Sequence, residues 1–137
     1  MDDISERELK PFFETGNLLA RDLYVNLPLP WTLASPIANF DEASFFRKEW
    51  GPDNCEEFFE GGELAADMDK LEGILGTMSP VQRWREAHPD AVGTERDVVR
   101  IIRREIERLL HEAGVEKGKE VIKGSSDGVL LMVKKKA

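Results

Sequence analysis

The sequence predicts an α+β fold: short helices, then one long amphipathic helix, then a C-terminal β-hairpin, in a single domain over residues 1–137. Three features point there. Val98, Val99, Ile101, Ile102, Ile106, Leu109, Leu110 and Ala113 recur at the helical period, with Arg100, Arg103, Arg104, Glu105, Glu107 and Arg108 filling the polar face. Two strand-like runs, Lys119–Lys123 and Val129–Val133, flank the turn sequence Gly124-Ser125-Ser126-Asp127-Gly128. Prolines and glycines break the rest into short segments.

Residues 3–13 read as a short helix starting near Ser5 and limited by Pro11. Thr15-Gly16-Asn17 opens a second helix with Leu18, Leu19, Leu23 and Leu27 as its apolar stripe and Tyr24 beside it. Pro28, Pro30 and Pro36 end that helix and enforce an extended connection from Leu27 to Asn39. Ala43–Trp50 fits an edge strand by alternation and a helix by the i, i+4 spacing of Phe46 and Trp50; its aromatic content favours the strand. Gly51-Pro52-Asp53-Asn54 breaks the chain. Leu64, Met68, Leu71 and Leu75 then fall on one helix face, and the acids Glu56, Glu57, Glu60, Glu63, Asp67 and Asp69 decorate a solvated side, without calcium-loop spacing. Ser79-Pro80 reads as an N-cap and a first-turn proline, opening a helix to Ala87 with Val81 and Trp84 on one side.

The long helix is expected over 94–113, with Thr94 and Asp97 as a capping-box variant and Gly114 as the stop. Its Val98, Ile102, Ile106 and Leu109 face is expected to pack on the hairpin. The strand 129–133 is apolar without alternation, which predicts burial on both faces inside a larger sheet.

Apolar residues make up 41% and charged residues 34%, enough for a core and too much for wholesale disorder. The net charge of −8 argues against a nucleic-acid partner. No apolar run approaches the ~20 residues of a membrane helix, and the acidic start is no signal peptide, so a cytoplasmic setting is the default with no membrane partner. One cysteine, Cys55, excludes a disulfide framework and a paired-thiolate metal site; His88 and His111, 23 positions apart on different expected elements, are poor material for zinc, which leaves two histidines plus a carboxylate as the one open combination, and no metal site is assigned. Acidic neighbours would raise the Cys55 thiol pKa and so disfavour a nucleophile. His88 fits a helix-end role, and His111 sits where a helix C-terminus favours an imidazolium. No phosphate-cradling glycine loop and no Gly-x-Ser-x-Gly elbow is present, and no catalytic residue is assigned. Phe12, Phe13, Trp31, Phe45, Phe46, Trp50, Phe58, Phe59 and Trp84 all lie outside the long helix and the hairpin, as core or as the wall of an apolar pocket.

The segment Gly76-Thr77-Met78-Ser79-Pro80-Val81-Gln82-Arg83-Trp84 resembles a Thr-Trp-Ser-x-x-x-x-Trp motif near the C-terminus of class I S-adenosylmethionine-dependent methyltransferases of the trans-aconitate methyltransferase kind, especially fungal ones. Pro11-Phe12-Phe13-Glu14-Thr15-Gly16-Asn17 with Arg21 is similar to that family's Pro-Tyr-Trp-x-x-Gly-Arg stretch after the fifth strand. Phe46-Arg47-Lys48-Glu49-Trp50 is similar to the sixth strand, and Gly118 to Lys136 to the closing seventh strand and its partner. Met78 stands where the motif has its first tryptophan, and the family's glycine-rich cofactor loop has no counterpart. The resemblance therefore implies the C-terminal half of a Rossmann-like methyltransferase: a substrate cap plus the last strands, inactive alone. S-adenosylmethionine is implied for the complete enzyme, with no cofactor-binding residue in this chain. The implied pocket for a small-molecule substrate has Trp84, Met78 and Phe13 as wall, with Arg83 and Arg21 for an acidic group. The alternatives are a non-catalytic interaction module that pairs through its sheet edge, with itself or a second chain, and a small α+β ligand binder.

Overall fold

A computed structural model of the chain describes residues 4–51, 63–125 and 127–137. The architecture is mixed α+β: short helices and two two-stranded sheets. The chain divides into two compact units, one from Met1–Glu14 and Ala65–Gly124, the other from Thr15–Leu64 and Ser125–Ala137.

The first unit starts with a π turn at Ser5–Leu9 that tightens into a 3-10 turn at Lys10–Phe12, where Pro11 supplies no amide. Strand β2 spans Glu63–Asp67, and helices α2 (Met68–Gly76), α3 (Ser79–Ala87) and α4 (Val98–Glu112) follow, then strand β3, Val121–Ser125. Leu9, Met68, Val81, Trp84, Ala91, Val98, Val99, Ile102 and Ile106 form one buried core. Val81 and Val98 are fully enclosed, and burying such a side chain contributes about 1.5–3 kcal/mol. Across the polar sides of α2 and α4, Arg103 Nη1 lies 2.8 Å from Asp69 and 3.1 Å from Glu72, and Arg100 Nε lies 2.8 Å from Glu72.

Two helix starts differ from the sequence expectation for the same reason. The apolar stripe beginning at Leu64 does not extend α2 backwards, because β2 pairs with β3 and the Asp67 carboxylate accepts the Lys70 amide at 2.8 Å as the true N-cap. Likewise α4 starts at Val98, capped by Asp97, not at Thr94. The Thr94 hydroxyl is used instead in the preceding turn, donating to the Ala91 carbonyl and accepting from the Arg96 amide. At the other end Gly114, at φ 96°, supplies the left-handed residue that stops α4.

In the second unit helix α1 is confined to Thr15–Arg21. It does not reach Leu27, because Leu23 and Tyr24 adopt φ of 51° and 58°, and their amides bond back to the Ala20 and Leu19 carbonyls. Arg47 Nη2 donates to the Leu23 carbonyl at 2.7 Å and pins this turn. Strand β1 runs Phe40–Trp50, so the strand reading of this aromatic segment holds and extends further towards the N-terminus. It pairs antiparallel with β4, Gly128–Lys135, in the register Phe46↔Met132, Lys48↔Leu130 and Trp50↔Gly128.

The expected C-terminal hairpin is not formed: β3 pairs with β2, and β4 pairs with β1. The long aromatic strand β1 offers cross-strand partners along the whole apolar run of β4, more than the short β3 can supply. Nor is the run 129–133 buried on both faces. Its residues alternate, with Val129, Leu131 and Val133 half-buried but Leu130 and Met132 40% and 53% exposed. A two-stranded sheet covered on one side leaves the other face to solvent. The long helix, correspondingly, packs its Val98, Val99, Ile102 and Ile106 face against α2 and α3, with Ile122 of β3 at the margin, and leaves Leu109 at the surface.

Candidate functional site

The motif segment 76–84 makes the α2–α3 turn. Thr77 closes α2 by donating its hydroxyl to the Ile74 carbonyl at 2.7 Å. Met78, in extended conformation, is the N-cap residue of α3, so Ser79 is the first helical residue and not the cap. Pro80 occupies the first turn, where no amide is needed. The Gln82 side chain donates back to the Gly76 carbonyl and braces the turn.

From this start the helical period carries Val81 and Trp84 into the core. Trp84, 4% exposed, stacks on His88 with ring centroids 4.2 Å apart and planes 19° from parallel. His88 Nδ1 lies 2.8 Å from the Trp84 carbonyl, and Phe12 meets the imidazole edge-on at 6.0 Å. His88 is therefore an aromatic spacer at a helix end. Phe12 and Phe13 are partly buried against the same core.

Arg83 points the other way along α3. Its Nε donates to the Phe12 carbonyl at 2.7 Å, and its Nη1 lies 3.4 Å from the Glu14 carboxylate. Of the sequence-derived pocket residues, Trp84, Arg83 and Phe13 thus share one corner of the first unit. Met78 sits at the head of α3 and is 39% exposed. Arg21 belongs to the second unit and lies 3.0 Å from Asp22.

A residue of larger consequence was read from the sequence only as part of a capping box. Asp97 is 1% exposed. It accepts from the Gly93 amide at 2.9 Å and the Val99 amide at 3.1 Å, and Arg85 Nη2 lies 3.1 Å from its carboxylate. Burial pushes this carboxyl up, but the Gly93 amide, Arg85 and the Val99 amide reverse the effect and hold it below the usual range. Gly93 sits at φ 73°, which lets its amide face the carboxylate. Asp97 and Arg85 also line a shallow cleft of about 290 Å3 with Glu72 and Arg100. Its charges pair internally, which marks the cleft as structural.

At the C-terminal end of α4, His111 Nε2 lies 2.6 Å from Glu120, whose other oxygen accepts from the Gly118 amide at 2.8 Å. His111 first, then the backbone amides, pull the Glu120 carboxyl down to about 2. His111 thus has a carboxylate partner as well as the helix terminus. Cys55, Phe58, Phe59 and the acids Glu56, Glu57 and Glu60 lie outside the described residues. Among the described residues no group of three or more His, Cys, Asp and Glu could hold a metal ion, and no helix is long and apolar enough to cross a membrane. No protein-family model matches this chain, and neither a curated protein nor a solved structure does.

Proposed function

We propose that this chain is the substrate-covering C-terminal part of a cytoplasmic S-adenosylmethionine-dependent small-molecule methyltransferase, inactive without a cofactor-binding half. The observation that carries the reading is the 2.7 Å bond from Arg83 to the Phe12 carbonyl. It joins the two stretches whose sequences resemble the family motifs, Pro11–Asn17 and Gly76–Trp84, across 71 positions of chain. Methyl transfer from a sulfonium is an in-line displacement that depends on proximity, orientation and exclusion of water. An aromatic corner of Trp84, His88 and Phe12, with Phe13 at its margin, suits that work. Arg83 acts as a positioning residue that holds the Phe12–Glu14 segment against α3.

Affinity for the methyl donor in such folds comes from backbone donors of a glycine-rich loop and from an acid on the ribose. The 137 residues contain no such loop. Isothermal titration of the purified chain with S-adenosylmethionine at ~100 μM should therefore give no heat of binding, since a usable signal there needs a Kd of roughly that size or tighter. A stoichiometric low-micromolar isotherm would overturn the assignment of this chain to the cap half.

A second reading, an interaction module, is favoured by one specific feature. Phe46, Leu130 and Met132 are exposed together on one face of the β1–β4 sheet. A two-stranded sheet is marginal by itself, and such a face invites a second copy or a second chain. Light scattering at ~100 μM tests it: self-association supports the module, and a clean monomer counts against it.

A further inference from the structure

Beside the register shift in β1 lies a concavity of about 580 Å3, lined by Trp31, Ile37, Phe40, Asp41, Glu42 and Lys136 among others. Between the pairs Asp41↔Lys134 and Phe46↔Met132, β1 carries four residues while β4 carries one. Bulges of this kind re-aim side chains, and they are common beside binding sites. This one is fixed in place. The Ser44 hydroxyl donates to the Asp41 carbonyl at 2.7 Å and accepts from the Lys134 amide at 2.8 Å, replacing the lost ladder bond. The Lys136 amide donates to Asn39 at 2.7 Å and holds the end of the sheet.

The opposite wall is also fixed. The Ile37 amide donates to the Pro30 carbonyl at 2.9 Å and closes that loop, and Thr32 bonds reciprocally to Leu29. Trp31 is held edge-on to Phe45 with centroids 5.3 Å apart. The lining chemistry is an indole and a phenyl ring, two carboxylates and one ammonium. Neither the Asp41 nor the Glu42 carboxylate has an ion-pair or hydrogen-bond partner among the described residues.

We propose that this concavity binds a small organic cation, an alkylammonium carrying an apolar body. Aromatic faces attract a cation through the ring quadrupole, and a diffuse alkylammonium loses less hydration on burial than a metal ion does. Asp41 and Glu42 supply the compensating charge, two carboxylates in the lining against the one ammonium of Lys136. The volume lies in the range of ordinary small-molecule sites. This site is distinct from the Trp84 corner and does not rest on the methyltransferase reading.

Choline is the probe, and 3,3-dimethylbutan-1-ol is its neutral isostere. The readout is the indole N–H resonance of Trp31, assigned by its loss in Trp31→Phe, at constant ionic strength. Choline should shift it saturably with a Kd of roughly 1–10 mM, as expected for a partly exposed cation–π site, and the alcohol should not. The double variant Asp41→Asn, Glu42→Gln should weaken choline at least ~5-fold, about 1 kcal/mol. Unmoved Trp50 and Trp84 resonances show that the variant is folded; should it unfold, the comparison of choline with the alcohol in the unaltered protein decides alone. A response to the alcohol equal to that to choline, a non-saturating choline shift, or unchanged binding by the folded double variant each overturns the proposal.

Discussion

Replacing Asp97 by alanine should be among the most damaging single changes in the first unit. The residue is 1% exposed and does three things at once. It caps α4 through the Val99 amide, and losing such a cap costs about 1 kcal/mol. It satisfies the Gly93 amide, which it would leave without its acceptor at about 1–3 kcal/mol. It neutralises Arg85, but that side chain keeps 26% of its surface exposed, so water relieves much of the lost pairing. Together these give about 3 kcal/mol, a large part of the 5–15 kcal/mol that holds a typical domain. Asp97→Asn keeps one acceptor and loses the charge, so it should cost less, about 1–2 kcal/mol. Urea unfolding followed by circular dichroism measures both. The carboxyl titrates below its ordinary 3.8, so its folded state favours the anion. Its contribution is complete above that pH and fades as the pH falls below it, which means the gap between wild type and Asp97→Ala should narrow in acid. An alanine variant within 0.5 kcal/mol of wild type, roughly the scatter for changes that touch nothing, would refute the account.

Three further outcomes are expected. Ile106→Asp places a charge in the core and should lower stability by about 3–5 kcal/mol, read as an earlier thermal melt in the far ultraviolet; an unchanged melt contradicts the packing of α4 on α2 and α3. Because Glu120 is held down to about 2 from 4.5, the tie to His111 and Gly118 is intact above 4.5 and lost as the pH falls through 2. The protection factor of the Gly118 amide, its intrinsic exchange rate divided by the observed one, should therefore fall over that window, and Glu120→Gln should remove the dependence. If self-association occurs, Met132→Lys on the exposed β4 face should suppress it in light scattering while leaving the circular dichroism spectrum intact.

The elements legible in the sequence are those specified locally. Helix α4 has an uninterrupted apolar period, α3 has Pro80 in its first turn, and the aromatic residues of β1 favour a strand. What was not legible depends on distant partners. Whether Leu64 belongs to a helix or a strand is decided by β3, some sixty positions on, and the partner of β4 is the remote β1 and not the adjacent β3. Single-face burial of β4 follows from that pairing. Helix starts were misplaced because Asp67 and Asp97 cap where Thr94 and the apolar stripe gave an earlier signal. In the candidate site, Trp84 was legible as an apolar motif residue. The engagement of Arg83 with Phe12 and Glu14 was not, since a guanidinium in sequence does not reveal whether a backbone carbonyl, a carboxylate or a substrate will meet it. The bulge at Asp41–Phe46 has no local sequence signature and emerges only from the register.

The proposal that this chain is the cap half of a methyltransferase is tested most directly by reading the full-length transcript upstream of the Met1 codon, together with the intact mass of the protein isolated from its source. If the proposal holds, the transcript encodes an in-frame strand, a Gly-x-Gly-x-Gly loop, a helix and an acid at the end of the next strand, or a second chain that carries them co-purifies. A stop codon immediately upstream, a mass equal to the 137 residues and no co-purifying chain with that loop would contradict it.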